Sequence, residues 1–552
     1  MTLFSLLVSG RYSLMKNISA LMLACFVLSG CDPQAETPAG SDSAQKNSAG
    51  TLRYALWSSP SGNFHPELYF TDYDRAVIFV TFDRLVMLDD KQGFKPSLAT
   101  RYDYSTDGKT LTFHLHPNIK WHDGQPFTAE DVAFTYQATA SGQWPADTPE
   151  FTRELQGFKA YHNGSADHLS GIRVIDAHTV SFSFNQPYAA ALSYFADRPV
   201  LAKHIWEKVP VAQWNQATAL LNNPVGTGPF KVKKFVPDQY VELTRNEDYF
   251  KGKPALESLI FKVANRDTAQ SELLNGELDV AELSSFNPAD LALYKKAGVN
   301  LVIQNGVSGQ YLTINHRDPL LADVRLREAL LYGIDRQGII NNLLYGNGQI
   351  FNAKIHPQDP AYPDDLNPFP HSVEKANALL DAAGWRARAS DGIRIKAGKR
   401  LAFTLQVPTG NRTREQSASI IQQNLKAIGV EITINVGDFN STLAILQNPK
   451  TPFQLLLMGG MFRPGQYSNN YWWERFSDAQ LTQLGDKANS TVDNEPRIVL
   501  LKQWAKRQNE LAMIGWLYIP NVGYAVNPQV TGYHPYPYEA FGNVYQWANQ
   551  PQ

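Results

Sequence analysis

The sequence contains only two cysteines in 552 residues, Cys25 and Cys31, and both lie near its start. A chain that begins at Cys31 has no second thiol, so no internal disulfide stabilises it even in an oxidising compartment. Neither sign of charge is in excess, because 50 Lys and Arg stand against 52 Asp and Glu. Since no basic field is present, we expect no nucleic-acid partner.

Motifs of common catalytic sites are also missing. The sequence has no Gly-x-Ser-x-Gly and no His-Glu-x-x-His, and the region after Cys31 has no nucleophilic cysteine. We therefore expect neither an enzyme nor a cofactor. Carboxylates are plentiful, however, so a periplasmic hydrolase such as a glycosidase remains an alternative that composition does not exclude.

The N-terminal region has the pattern of a secretory signal. Met15-Lys16-Asn17 precedes an apolar run over 18–28 that is too short to span a membrane. Leu28-Ser29-Gly30-Cys31 resembles a bacterial lipobox, in which the cysteine is acylated and becomes the first residue. We therefore predict lipidation of Cys31; whether translation begins at Met1 or Met15 stays open. Asp32 resembles a signal for retention in the inner membrane.

The stretch 222–254 carries the most informative local pattern of the sequence. Gly226-Thr227-Gly228-Pro229 predicts a tight turn, and side chains then alternate over 230–236 and 240–245 on either side of Pro237-Asp238. This pattern predicts a β-hairpin. A phosphate-binding loop is not indicated, because the Gly-Lys-Ser/Thr ending and a following helix are missing.

The same stretch resembles a known family. Gly-Thr-Gly-Pro-Phe, a charged hairpin and then N-x-D-Y-F-x-G-K-P are similar to the signature of family 5 extracellular solute-binding proteins, the oligopeptide, dipeptide, nickel and opine receptors of ABC importers. Further similar segments follow the family order: W-H-D-G…T-A-E-D-V (121–132), L-L-N-G-E-L-D (273–279) and V-R-L-R-E-A-L-L-Y-G-I-D-R (324–336).

The resemblance implies an α/β fold with two lobes, the type II, cluster C form of the periplasmic binding proteins, with an extra β-rich subdomain inserted in lobe I. The expected segments are a lipoprotein signal peptide (1–31), a flexible tether (32–50), the first segment of lobe I (51–88), the inserted subdomain (89–189), the second segment of lobe I (190–317), lobe II (318–511) and the return to lobe I (512–552).

The resemblance also implies the function. We expect a monomeric periplasmic receptor, anchored by lipid to the inner membrane, that delivers its ligand by hinge closure to ABC permease subunits with cytoplasmic ATPases. Peptides or peptide-like solutes are the family default. An anionic solute (an opine, a sugar phosphate or an acidic oligosaccharide) and a metal chelate remain open alternatives.

Arg463 favours the anionic alternative. It falls at or near the place where peptide receptors of the family carry an aspartate for the peptide's ammonium group, and a cation there favours carboxylate or phosphate. A shift of the alignment by a residue or two, which would put Arg463 on the surface, stays equally open. The predicted ligand-binding residues are Asn63, Phe64, His65, Tyr311, Phe439, Arg463, Tyr467, Tyr471, Trp472 and Trp473.

His114 and His116 share one face of a predicted strand and therefore raise the question of a metal site. No acidic residue or cysteine stands at ligand spacing beside them. We expect no metal.

Overall fold

The computed structural model describes residues 50–89, 93–465 and 474–550. No helix in these ranges combines the length and the apolar character needed to cross a bilayer. The first elements are β1 (Thr51–Leu56), α1 (Asp72–Thr81), β2 (Val86–Leu88), β3 (Phe94–Pro96), β4 (Ala99–Tyr104), β5 (Thr110–Leu115), α2 (Ala129–Ala140), α3 (Glu150–Arg153), α4 (Phe158–His162), β6 (Ile172–Asp176) and β7 (Thr179–Ser183).

The next elements complete the first half of the chain. They are α5 (Ala191–Asp197), α6 (Lys203–Trp206), a 3-10 turn (Val211–Gln216), α7 (Thr218–Asn222), β8 (Phe230–Val236), β9 (Tyr240–Arg245), β10 (Ser258–Val263), α8 (Ala269–Leu274), β11 (Val280–Glu282), α9 (Pro288–Lys296) and β12 (Asn300–Gln304).

The second half is rich in helices. It contains β13 (Ser308–Ile314), α10 (Val324–Gly333), α11 (Arg336–Leu344), β14 (Gly348–Ile350), α12 (Val373–Ala382), β15 (Ala387–Arg388), β16 (Arg394–Lys396), β17 (Lys399–Arg400), β18 (Ala402–Pro408), α13 (Arg412–Ala427), β19 (Glu431–Gly437), α14 (Phe439–Gln447), β20 (Leu455–Met461), α15 (Ala479–Asn489), α16 (Asn494–Glu510) and β21 (Gly515–Pro520). The chain ends with β22 (Val522–Val526), β23 (Val530–Thr531), a 3-10 turn (Val544–Gln546) and β24 (Ala548–Asn549).

Three sheets define the architecture. Lobe I is built on a seven-stranded sheet in the order β12-β22-β11-β1-β10-β9-β8, and lobe II on a six-stranded sheet in the order β14-β21-β13-β20-β18-β19. A four-stranded antiparallel sheet, β4-β5-β7-β6, forms the inserted subdomain. The predicted α/β fold with two lobes and an inserted β-rich subdomain is confirmed.

Local sequence explains these elements. In β5 the burial alternates, so that Leu111, Phe113 and Leu115 enter the core. Helix α13 buries Ala418, Ile421 and Leu425, whose spacing of three and four residues places them on one face. The predicted hairpin over 230–245 is confirmed, since β8 pairs antiparallel with β9.

The Gly-Thr-Gly segment packs against the C-terminal end of α1. The Gly228 N–H donates to the Thr81 carbonyl at 2.8 Å, and a β-carbon at Gly226 would lie 1.9 Å from that same carbonyl oxygen. Thr227 is 2 % exposed and bonds to Asp83 just beyond the helix. This close approach of two backbones explains why glycine is required here.

The chain crosses between the lobes at two short segments, residues 305–307 and residue 521. The sheets assign β13 and β21 to lobe II, so these crossings differ from those expected at 318 and 512. The expected boundaries put both strands in lobe I because their apolar pattern does not reveal which sheet they join. The two crossings lie side by side: a β-carbon at Gly306 would be 2.1 Å from the Pro520 carbonyl oxygen.

Candidate functional site

Sheet topology places the ends of both lobes' parallel strands beside the crossings. In lobe II, β18 runs parallel to β19 and β20, and the end of β20 pairs with the start of β13 (Met461 with Ser308). In lobe I, β1 is parallel to β10 and β11, and the end of β11 pairs near the start of β22 (Glu282 with Tyr524). Both carboxyl edges therefore adjoin the hinge, and such edges are the usual ligand sites of α/β sheets.

An ion pair joins the two lobes across this cleft. The Arg463 Nη1 atom, two residues beyond β20 in lobe II, lies 2.6 Å from the Asp197 carboxylate at the end of α5 in lobe I. The hydroxyl of Ser193, also on α5, donates to the Pro464 carbonyl at 2.6 Å. Arg463 thus faces lobe I, and its side chain is 40 % exposed.

Three arginines surround the Asp197 carboxylate. Besides Arg463, Arg75 lies at 3.1 Å and Arg198 at 3.4 Å. Burial alone would raise the pKa of Asp197, but Arg463, Arg75 and Arg198 outweigh it and lower the pKa to about 2. Asp197 is therefore ionised at every pH at which the protein is expected to work.

The buried ion pair between Arg84 and Glu539 packs next to this cluster. Arg84 forms two parallel hydrogen bonds of 2.7 Å to the Glu539 carboxylate and donates to the Ala196 carbonyl at 2.9 Å. The Phe79 ring lies between two guanidinium groups, with Arg75 at 4.3 Å and Arg84 at 4.1 Å from its centre. The predicted site did not include Arg84 or Glu539, since they are 455 positions apart and belong to no local motif.

Two spaces border the inter-lobe contact. A gap of about 30 Å³ adjoins Arg463 and Asp197, and Leu88, Phe94, Met461 and Tyr538 line it. A larger space of about 400 Å³ lies between the inserted subdomain and lobe II. Its lining includes Tyr102, Tyr104, Leu192, Pro360, Arg497 and Leu501.

The loop after β1 lies inside lobe I. The side chains of Asn63, Phe64 and His65 are buried, and the imidazole of His65 packs at 4.6 Å from the Trp206 ring and 5.4 Å from the Trp214 ring. Burial lowers the pKa of His65 to about 3, so this histidine is neutral. Ligand contact by these three residues stays a prediction.

Two more predicted site residues, Tyr311 and Phe439, belong to lobe II. Tyr311 on β13 packs edge-on against Trp516 at 5.4 Å, next to the cleft end of β20. Phe439 begins α14 just beyond the carboxyl end of β19 and is 46 % exposed. Tyr467, Tyr471, Trp472 and Trp473 lie outside the described residues, as does Cys31.

The histidines at 114 and 116 have protein neighbours. His114 lies 3.0 Å from Arg101 and 3.3 Å from Asp103, and His116 packs against Phe250. Within residues 50–89, 93–465 and 474–550, no three His, Cys, Asp or Glu side chains converge as a metal site would require.

Glu67 lies in the same network and gives a pH-dependent prediction. Burial raises its pKa from 4.5 to about 7, against the lowering effects of Arg198 and of the Tyr194 hydroxyl, which bonds to it at 3.0 Å. Because the folded pKa exceeds the unfolded one, the folded state binds more protons between these values. The stabilising contribution is complete below about pH 4.5 and is lost as pH rises through about 7.

We expect the wild type to lose stability relative to Glu67→Gln between about pH 5 and about pH 8. The measurement is the guanidinium unfolding midpoint of both proteins at several pH values in this window. Glu495→Gln, at an exposed position of α16, is the control and should run parallel to the wild type. A Glu67→Gln difference that does not change with pH would contradict the assignment.

Comparisons with known proteins agree with this architecture. Residues 93–480 match the family model "Bacterial extracellular solute-binding proteins, family 5 Middle". The oligopeptide-binding protein AppA of Bacillus subtilis is 28 % identical, over 97 % of this chain and 99 % of AppA. The dipeptide-binding protein of Escherichia coli is 28 % identical, over 82 % of this chain and 86 % of its own.

A solved structure shows the same fold. The structure of Bacillus subtilis AppA in complex with a nonapeptide superimposes with a TM-score of 0.72 at 25 % identity, covering 92 % of this chain and all of that one. The resemblance inferred from the Gly-Thr-Gly-Pro-Phe segment is thereby confirmed. These relatives are binding proteins and not enzymes, which agrees with the lack of catalytic motifs. The chain belongs to the family 5 bacterial extracellular solute-binding proteins.

Proposed function

We propose that this protein is a periplasmic receptor that binds peptides or peptide-like solutes between its lobes and delivers them to an ABC permease by hinge closure. The observation that carries the proposal is the cleft: two carboxyl edges meet beside two adjacent crossings, and Arg463 and Pro464 of one lobe contact α5 of the other. A two-crossing hinge allows the lobes to open and close as rigid bodies. The names of the oligopeptide- and dipeptide-binding relatives support a peptide ligand.

The proposed attachment to the membrane is argued from the N-terminal sequence. The lipobox that ends at Cys31 supports acylation there, and Asp32 supports retention in the inner membrane beside the permease. The segment 32–50 has no large apolar residue and is rich in Pro, Gly, Ala and Ser, so it suits a flexible tether. The receptor works as a monomer.

An anionic non-peptide solute is the second candidate. Arg463, Arg75 and Arg198 converge on the Asp197 carboxylate, and a ligand anion that displaced it would find three guanidinium groups already in place. An opine, a sugar phosphate or an acidic oligosaccharide has the required charge. In this candidate Asp197 occupies the anion site when no ligand is bound.

Native mass spectrometry distinguishes the two candidates. The protein is produced from Asp32 onward, and whatever co-purifies with it is identified. We expect a ladder of peptide masses that Arg463→Ala retains, because Asp197 still binds Arg75 and Arg198 in that variant. Arg325→Ala, which removes an exposed arginine paired with Asp323, is the matched control. A single acidic adduct that disappears only in Arg463→Ala would overturn the peptide function and support the anionic solute.

A further inference from the structure

The small gap beside the inter-lobe ion pair has walls from both lobes. Its volume is about 30 Å³, and roughly 10–15 Å³ of such space is enough to admit one water molecule. Leu88, Phe94 and Ala196 form its apolar wall on the side of lobe I and the inserted subdomain, and Met461 and Pro464 form the wall on the side of lobe II. The gap is therefore large enough for a small ion or one or two waters, and too small for a peptide or a sugar.

Two side chains that line this gap carry hydrogen-bond donors without an acceptor. The Arg75 Nε atom and the Tyr538 hydroxyl are enclosed by protein, and neither has a hydrogen-bond partner among the residues that the structure describes. Burial, together with the charge of Asp359, raises the pKa of Tyr538, so its hydroxyl keeps its proton and remains a donor. Because an enclosed donor without an acceptor costs free energy, these two donors favour an occupant that accepts hydrogen bonds.

The carboxylates on the walls are already bonded to guanidinium groups. One Asp197 oxygen accepts from Arg75 at 3.1 Å and the other from Arg463 at 2.6 Å. Both oxygens of Glu539 accept from Arg84 at 2.7 Å. An occupant that donates hydrogen bonds, such as water, would compete with these arginines for the carboxylates. An occupant that only accepts has no such competitor.

The groups around the gap also have an excess of positive charge. Four guanidinium groups face two carboxylates here, namely Arg75, Arg84, Arg198 and Arg463 against Asp197 and Glu539. The remaining acid of this network is Glu67, whose pKa burial raises to about 7, so that it is mostly protonated below that pH. Positive charge therefore exceeds negative charge at the contact between the lobes, and a bound anion would offset the excess.

We propose that this gap binds a small inorganic anion, chloride, which accepts hydrogen bonds from Arg75 and Tyr538 and stabilises the closed arrangement of the lobes. Chloride accepts hydrogen bonds without donating any, and it carries the charge that the cluster lacks. Because Met461, Arg463 and Pro464 of lobe II form one wall, the complete site exists only while the lobes are in contact. A bound anion therefore shifts the receptor toward its closed form. The inference goes beyond the proposed function and does not depend on which solute the cleft takes.

Chloride binding is measured through its effect on the unfolding temperature. The protein from Asp32 onward is heated in buffers of constant ionic strength in which chloride progressively replaces gluconate, an anion too large for the gap. We expect the unfolding temperature of the wild type to rise with the chloride concentration, because a ligand that binds only the folded state stabilises it. Broadening of the chloride-35 NMR signal by the protein reports the same binding directly.

Two variants test the two walls of the gap. Tyr538→Phe removes a donor of lobe I, and Arg463→Gln removes the charge of lobe II. Each should need roughly 10- to 100-fold more chloride for the same stabilisation, since each loses a favourable interaction with a charged group. The matched controls are Tyr536→Phe, two residues from the site, and Arg325→Gln, at an exposed arginine of α10, and both should respond as the wild type does.

Three outcomes would overturn the proposal. A wild type that gains no stability from chloride and does not broaden its signal would mean that the gap takes only water. A chloride effect that Tyr538→Phe keeps in full would mean that the ion binds elsewhere on the protein. If Tyr538→Phe weakens the effect and Arg463→Gln does not, the ion belongs to lobe I alone and its role in closure is wrong. None of these results bears on the peptide function, which the co-purified solute decides separately.

Discussion

A Gly226→Ala variant is expected to lose at least about 3 kcal/mol of folding free energy, because the new methyl group would lie 1.9 Å from the Thr81 carbonyl oxygen. Neither backbone can move freely. Thr81 ends α1, and the residue after the glycine, Thr227, is buried and bonded to Asp83. The added β-carbon therefore forces apart the first helix of lobe I and the start of the β8–β9 hairpin.

The measurement is guanidinium unfolding followed by tryptophan fluorescence. Gly124→Ala is the control: its site is open, with no atom within 4 Å of the new β-carbon, and only its φ of 88° opposes alanine. That control should cost about 1–2 kcal/mol. If Gly226→Ala and Gly124→Ala were equally stable, the close backbone contact with Thr81 would not explain why position 226 requires glycine.

Arg84→Met is expected to destabilise lobe I by about 3–5 kcal/mol, since it leaves the Glu539 carboxylate buried without its partner. The carboxylate side chain is only 2 % exposed, and both of its oxygens are bonded to Arg84 at 2.7 Å. Because residue 539 belongs to the C-terminal segment, the loss should also loosen the attachment of that segment to the start of the chain.

Two further variants are compared with Arg84→Met: a double variant that removes both members of the buried pair, and a variant that breaks an exposed ion pair. Arg84→Met combined with Glu539→Leu removes both charges and should recover much of the stability, as buried pairs replaced by apolar groups often do. Lys506→Ala breaks an exposed pair with Asp365 and should change nothing measurable. If Arg84→Met were as stable as the wild type, water would have to solvate the Glu539 carboxylate, and the expectation of a buried charge without a partner would be wrong.

The sequence predicts this fold well because its signals are local. Turn residues and strand alternation predict the hairpin at 230–245, and the antiparallel pairing of β8 with β9 confirms it. The crossings between the lobes are not predictable in this way, because alternation in a strand such as β13 indicates that the strand is half-buried and not which sheet it joins. Pairing partners far away in sequence decide that question.

The site was less predictable for the same reason. Arg463 stands at a position that the family resemblance singles out, but Asp197, its partner in the inter-lobe contact, is 266 residues away in the sequence.

The two adjacent crossings have a consequence for the chain as a whole. Every strand of the lobe II sheet lies within 308–520, whereas the strands of the lobe I sheet lie outside that interval. Lobe II is therefore one continuous insertion into lobe I, with its two ends close together at Gly306 and Pro520. A gene fragment for 308–520 would encode the complete sheet with its helices, and its ends could be joined by a short peptide to give a circularly closed module.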